Sequence, residues 1–139
     1  MGSAMRESVK FTIEGTMPGL NEMVDARMLS RRTRNGVVWN KYSALKREVE
    51  ARVAAAIKVA RLSPIPDDWY PVTIHYEWVE PHKRRDKDNI RAGSKFILDA
   101  LALSGILAGD GWKHIENITD TFDVDKARPR VVVRIGAKS

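Results

Sequence analysis

The sequence predicts an α/β fold in a single domain: a mixed four-stranded sheet with two helices packed on it. Short segments that alternate apolar and polar residues, the period of half-buried strands, recur along the 139 residues. Two longer segments repeat apolar residues every three or four positions, the period of amphipathic helices. The order of these segments is β-α-β-α-β-β, and the apolar content of 43% can fill one core.

The first half of the chain supplies a strand, a long loop and a helix. Residues 9–13 alternate apolar and polar side chains and predict the first strand. Residues 16–38 show no sustained period, so we expect a long loop, in which the Asn-Gly pair at 35–36 can turn a short hairpin. Residues 42–62 have the helical period, and Asn40 is placed to cap that helix.

The second half supplies the other three strands and a second helix. Residues 72–78 alternate most clearly and predict the second strand. A dense polar stretch, 83–89, leads into a helix that we expect to continue to about Leu103. Residues 115–124 and 130–135 predict the last two strands, joined by a connection short enough for a hairpin.

Composition narrows the class of protein. The 24 basic and 18 acidic residues give a formal charge of +6, which favours a polyanionic partner, although many basic proteins bind nothing anionic. The absence of cysteine excludes a disulfide framework, a thiolate nucleophile and a thiolate metal site. No apolar run reaches the roughly 18 residues of a membrane span, so we expect a cytoplasmic protein. Residues 1–4 resemble an expression-tag remnant, which leaves 5–139 as the domain.

Asp86 and Asp88 are the central chemical feature. In an extended segment, two residues that are two positions apart project from the same face of the backbone. Carboxylate oxygens suit Mg²⁺, which takes one or two protein carboxylates and keeps several waters. Asp110 follows the second predicted helix in a turn between glycines, and its spacing does not show whether it returns to the pair. Solvated loop acids are the plainer alternative for all three.

Basic residues surround the two aspartates. A metal beside a basic rim is what phosphodiester hydrolysis requires, because cations attract the phosphate and offset its charge. The candidates for DNA binding here are Lys83, Arg84, Arg85 and Arg91. A second set in the predicted long loop, Arg27, Arg31, Arg32 and Arg34, is placed to contact the DNA backbone, with simple solubility as the alternative.

The run RRDKDNIRAGSKFILDALALSGILAGDGWKHI at 84–115 resembles the signature of the RusA family of Holliday junction resolvases. That signature is D-x-D-N, a lysine four residues before the aspartate of D-A-L, then a glycine and a further aspartate. The resemblance implies a homodimeric crossover junction endodeoxyribonuclease, often carried by prophages, that requires Mg²⁺, with Mn²⁺ as a substitute. Such enzymes act in DNA recombination and repair, and cut paired strands across a four-way junction.

The resemblance also assigns roles to individual residues. Asp86 and Asp88 match the metal-binding pair, Asp110 matches the third metal-binding acid, and Lys95 matches the lysine needed for cleavage. In the family's best-known members this lysine follows the second aspartate by four residues, whereas here the gap is seven. Three extra residues make nearly one helical turn, so Arg91 is the alternative cation. An ion pair between Lys95 and Asp99 is a further possibility for this lysine.

Three other residues have expected roles. Asn89 is placed to cap the second helix, and Asp120 should face inward beside a polar partner. Trp112 could stack on an unpaired base. Two other functions stay open: a module that binds branched DNA without cutting it, and a related metal nuclease that acts on flaps or RNA.

Overall fold

The computed structural model describes residues 7–28, 31–32 and 38–139, with the side chains of 31–32 and 38–39 left aside. The predicted tag remnant at 1–4, Arg34 and the Asn-Gly pair at 35–36 therefore lie outside the described residues.

A four-stranded mixed sheet forms the centre of the domain, which confirms the predicted fold class. Its strands are β1 (Ser8–Glu14), β4 (Val72–Glu80), β5 (Ile115–Val124) and β6 (Arg130–Gly136). They lie in the order β1-β6-β4-β5, so β1 and β5 are the edges. The β6 strand is antiparallel to both of its neighbours, whereas β4 and β5 run parallel.

Two helices cover one face of this sheet. The helix α2 (Lys41–Ala60) begins as predicted at Asn40, whose side chain accepts hydrogen bonds from the backbone N–H groups of Tyr42 and Ser43. It packs against β1 and against α4 (Ser94–Leu103). Alternate strand residues and the inner sides of both helices share one core, because each strand buries every second side chain on that face. No helix in the described part of the chain has the length and apolar character of a membrane span.

The predicted long loop contains regular structure. A helix, α1 (Leu20–Met28), buries only Met23 and Ala26, and this short apolar pattern is too weak to be recognised in the sequence. After it, β2 (Arg31–Arg32) and β3 (Val38–Trp39) pair antiparallel, which confirms the expected hairpin.

The second predicted helix is broken into α3 (Lys87–Arg91) and α4. The break falls at Ala92 and Gly93, inside the three residues by which the sequence departs from the resolvase signature. Gly93 is buried against Met17, and a Cβ atom there would lie 2.7 Å from the Met17 Cβ. A glycine is therefore required for this close approach, and glycine also weakens a helix interior.

Candidate active site

Asp86 and Asp88 lie in the connection between β4 and α3. Asp86 is the residue before α3, and Asp88 is in its first turn. Both line an open cavity of about 800 Å³ at the carboxyl ends of β4 and β5. The same cavity is lined by Lys83, Lys87 and Phe122, so acidic and basic side chains share it.

A buried ion pair fixes the loop that carries Asp86. The Glu80 side chain is 6% exposed, and its two oxygens accept hydrogen bonds of 2.9 and 3.0 Å from Nε and NH2 of Arg85. NH1 of Arg85 donates to the Met17 carbonyl at 2.9 Å. All three guanidinium nitrogens are therefore engaged within the protein, and this arrangement favours a structural role for Arg85 over the predicted contact with DNA.

Asn89 links α3 to α1. Its side-chain oxygen accepts a 3.0 Å hydrogen bond from the backbone N–H of Asn21, in the first turn of α1. The prediction that Asn89 caps its own helix is wrong, because it serves the start of a different helix. Gly19 permits this approach, since a Cβ atom there would lie 2.6 Å from the Asn89 oxygen.

Asp120 of β5 connects α3 to the sheet. As predicted, it faces inward, with its side chain 13% exposed. Its oxygens accept hydrogen bonds from Nε1 of Trp78 at 2.7 Å and from Nε of Arg91 at 3.0 Å. Burial, followed by the charge of Asp120, raises the pKa of Tyr76, whose hydroxyl is buried without a hydrogen-bond partner. Arg91 is thus held by Asp120 and does not line the Asp86 and Asp88 cavity.

Lys95 lies in the first turn of α4, beyond the break between the two helices. Its ammonium is 3.6 Å from Asp99, which is the ion pair considered above for this lysine. The side chain of Lys95 is 60% exposed, and it is not among the residues that line the Asp86 and Asp88 cavity. Its predicted part in cleavage stays a prediction.

Asp110 lies at the opposite end of the sheet. It lines a separate groove with Trp112, Ile115 and Ile118 at the start of β5, whereas the Asp86 and Asp88 cavity includes Val124 at its end. These two ends are about 25 Å apart at roughly 3.3 Å per residue along the strand. The parallel crossover causes this separation, because its helices carry the chain back to the start of the next strand.

The expectation that three acids converge within one chain is therefore wrong. Among the described residues, no group of three or more histidine or acidic side chains is close enough to hold a metal ion. The Asp86 and Asp88 pair is brought together, and Asp110 is not.

The other predicted DNA-binding residues fall in two places. Lys83 and Arg84 are exposed in the loop after β4. Arg27 is exposed near the end of α1, with its guanidinium 4.6 Å from the centroid of the Tyr42 ring. Arg31 and Arg32 form the backbone of β2.

The sequence reasoning missed Lys87 as a site residue. It lies between the two aspartates, lines their cavity, and holds its ammonium 5.6 Å from the centroid of the Phe122 ring. Its position inside the D-x-D motif was the signal that could have identified it.

No family model and no curated protein matches the chain. A functional assignment therefore depends on the motif at 84–115 and on the geometry of the cavity.

Proposed function

We propose that this chain is a magnesium-dependent, structure-specific endodeoxyribonuclease of the RusA type. It would resolve Holliday junctions in the cytoplasm by paired phosphodiester hydrolysis, in DNA recombination and repair. The observation that carries the proposal is the cavity in which Asp86 and Asp88 stand beside Lys83 and Lys87. The Glu80–Arg85 pair supports it, since a rigid loop holds ligands in place.

The residues present fit a magnesium ion. Asp86 makes no side-chain hydrogen bond to cap α3, and Asp88 accepts one, at 2.9 Å from the Asn89 backbone N–H. Both side chains are exposed to the shared cavity and retain oxygens for a hard cation and its waters. When bound, Mg²⁺ supplies the Lewis acid that phosphodiester hydrolysis needs. The aspartates hold and orient the ion, and the lysines attract the DNA phosphates.

A homodimer accounts for Asp110. A two-fold axis perpendicular to β5 reverses the strand direction, so the start of β5 in one protomer meets its end in the other. Asp110 of the partner subunit then comes to the end that carries Asp86 and Asp88. The edge position of β5 supports this arrangement, because its outer side has no neighbouring strand in the sheet. Trp112, which is 99% exposed beside Asp110, supplies an aromatic side chain for the same interface.

Such a dimer suits a four-way junction. It has two identical sites, each made from both protomers, and two strands of the junction must be cut. The Arg27, Arg31, Arg32 and Arg34 region would contact the DNA backbone away from the cut.

A panel of substrates tests the proposal. We expect the purified protein to make paired, symmetric nicks in a four-way junction with Mg²⁺, and to leave the junction uncut in EDTA. A flap, a linear duplex and a single-stranded RNA should remain uncut under both conditions. Binding of the junction without cleavage would instead indicate a recognition module. Preferential cleavage of the flap or RNA would indicate a metal nuclease with another substrate.

A further inference from the structure

The six basic residues from 83 to 95 do not all remain available to DNA. Three of them are in ion pairs within the protein: Arg85 with Glu80, Arg91 with Asp120, and Lys95 with Asp99. The other three are Lys83, Arg84 and Lys87, and the described residues include no ion pair for any of them. Of these, Lys83 and Lys87 line the cavity that contains Asp86 and Asp88.

Lys87 has the more defined position of the two. Its side chain is exposed, and its ammonium lies 5.6 Å from the centroid of the Phe122 ring, in the wall of the cavity. A cation near an aromatic ring is attracted by the ring's quadrupole, so the ammonium is drawn toward the cavity wall. The backbone of Lys87 lies between those of the two aspartates, and the Glu80–Arg85 pair fixes the preceding loop.

We propose that Lys87, and not Lys95, contacts the DNA phosphate at the cleavage site; this inference rests on the proposed nuclease function. A phosphate that enters this cavity meets two carboxylates, and an adjacent ammonium offsets the repulsion between these anions. Lys87 provides that ammonium with no competing carboxylate partner. Lys95 stands on a separate helix, and its ammonium is already paired with Asp99.

The test compares three lysine variants in two assays. Lys87→Ala is the variant of interest, Lys95→Ala is the competing assignment, and Lys58→Ala removes an exposed lysine of α2 that does not line the cavity. Binding to a four-way junction is measured in EDTA across a range of salt concentrations, and single-turnover cleavage is measured with Mg²⁺ at saturating protein.

We expect Lys87→Ala to flatten the plot of log affinity against log salt by about 0.9, which is the loss of one phosphate contact per junction site. Cleavage should fall about 100-fold, as on removal of one donor to a developing anion. Lys87→Arg should keep most of both properties, because it keeps the charge. Lys95→Ala and Lys58→Ala should stay within a few-fold of the unchanged protein.

The outcomes separate this inference from the nuclease proposal. If the unchanged protein binds the junction but does not cut it, the nuclease proposal fails, and the salt dependence alone decides whether Lys87 contacts a phosphate. If the protein cuts and Lys95→Ala is inactive while Lys87→Ala is normal in both assays, the inference is overturned and the nuclease stands. Failure of the unchanged protein to bind any junction overturns both. A thermal melt excludes misfolding, which we do not expect for an exposed side chain.

Discussion

Asp88→Asn is expected to abolish junction cleavage and to leave junction binding nearly unchanged. Asparagine keeps the size of the side chain and its hydrogen bond from the Asn89 backbone, but it removes the charge that a cation requires. Loss of a group that merely supports a metal ligand costs roughly 10–100-fold in affinity or activity, so loss of a ligand should exceed about 100-fold. Single-turnover cleavage and calorimetric titration with Mg²⁺ measure the two effects separately.

Asp123→Asn is the matched control for this change. Asp123 is exposed and lines the same cavity, and it also accepts a hydrogen bond from the following backbone N–H. We expect it to retain cleavage within a few-fold. An equal loss in both variants would mean that the overall charge of the cavity matters, and that the pair has no special part in binding metal. Loss of junction binding in Asp88→Asn would indicate a structural role for Asp88.

Arg85→Gln is expected to lower the stability of the fold. It leaves the Glu80 carboxylate buried without its partner, since Glu80 is only 4% exposed. Removing one member of a buried ion pair typically costs about 3–5 kcal/mol in the free energy of unfolding. At roughly 3 °C per kcal/mol for a chain of this size, Tm should fall by about 10 °C. Chemical denaturation and a thermal melt both measure this change.

Arg84→Gln provides the comparison, because Arg84 is the adjacent arginine, is exposed, and has no ion pair among the described residues. Its free energy of unfolding should change by less than about 0.5 kcal/mol. The double variant Glu80→Gln/Arg85→Gln should recover part of the stability, because it leaves no uncompensated charge. A normal melt for Arg85→Gln, together with weaker junction binding, would contradict the structural role and restore the predicted contact with DNA.

Much of the sheet could be predicted from alternation alone. The strand β5 has the predicted bounds, 115–124, and Asn40 caps α2 as expected. Both features depend on local chemistry: a period of two for the strand, and a side chain that accepts from the first helical N–H groups for the cap. The inward direction of Asp120 followed from the same alternation.

The contacts that hold the site depend on tertiary structure. Glu80 continues the inward face of β4 two residues beyond Trp78, but nothing local shows that Arg85 will reach back to it. The break at Gly93 depends on the approach of Met17, which is distant in sequence. The position of Asp110 follows from the parallel pairing of β4 and β5, and a motif read along the chain does not contain that information.

The central claim is that each active site takes Asp86 and Asp88 from one protomer and Asp110 from the other. Mixed dimers test it directly. Asp88→Asn and Asp110→Asn chains with different affinity tags are coexpressed, and dimers that carry both tags are isolated and assayed on a four-way junction. A mixed dimer of Asp86→Asn and Asp88→Asn chains serves as the control, because both of its sites lack one member of the pair.

Each parent homodimer and the control should be inactive. The Asp88→Asn/Asp110→Asn dimer should regain one intact site, since the protomer with the unchanged pair receives Asp110 from its partner. We therefore expect it to nick a single strand of the junction, at up to half the unchanged rate. A mixed dimer as inactive as its parents, or a protein that stays monomeric on the junction, would contradict the shared site.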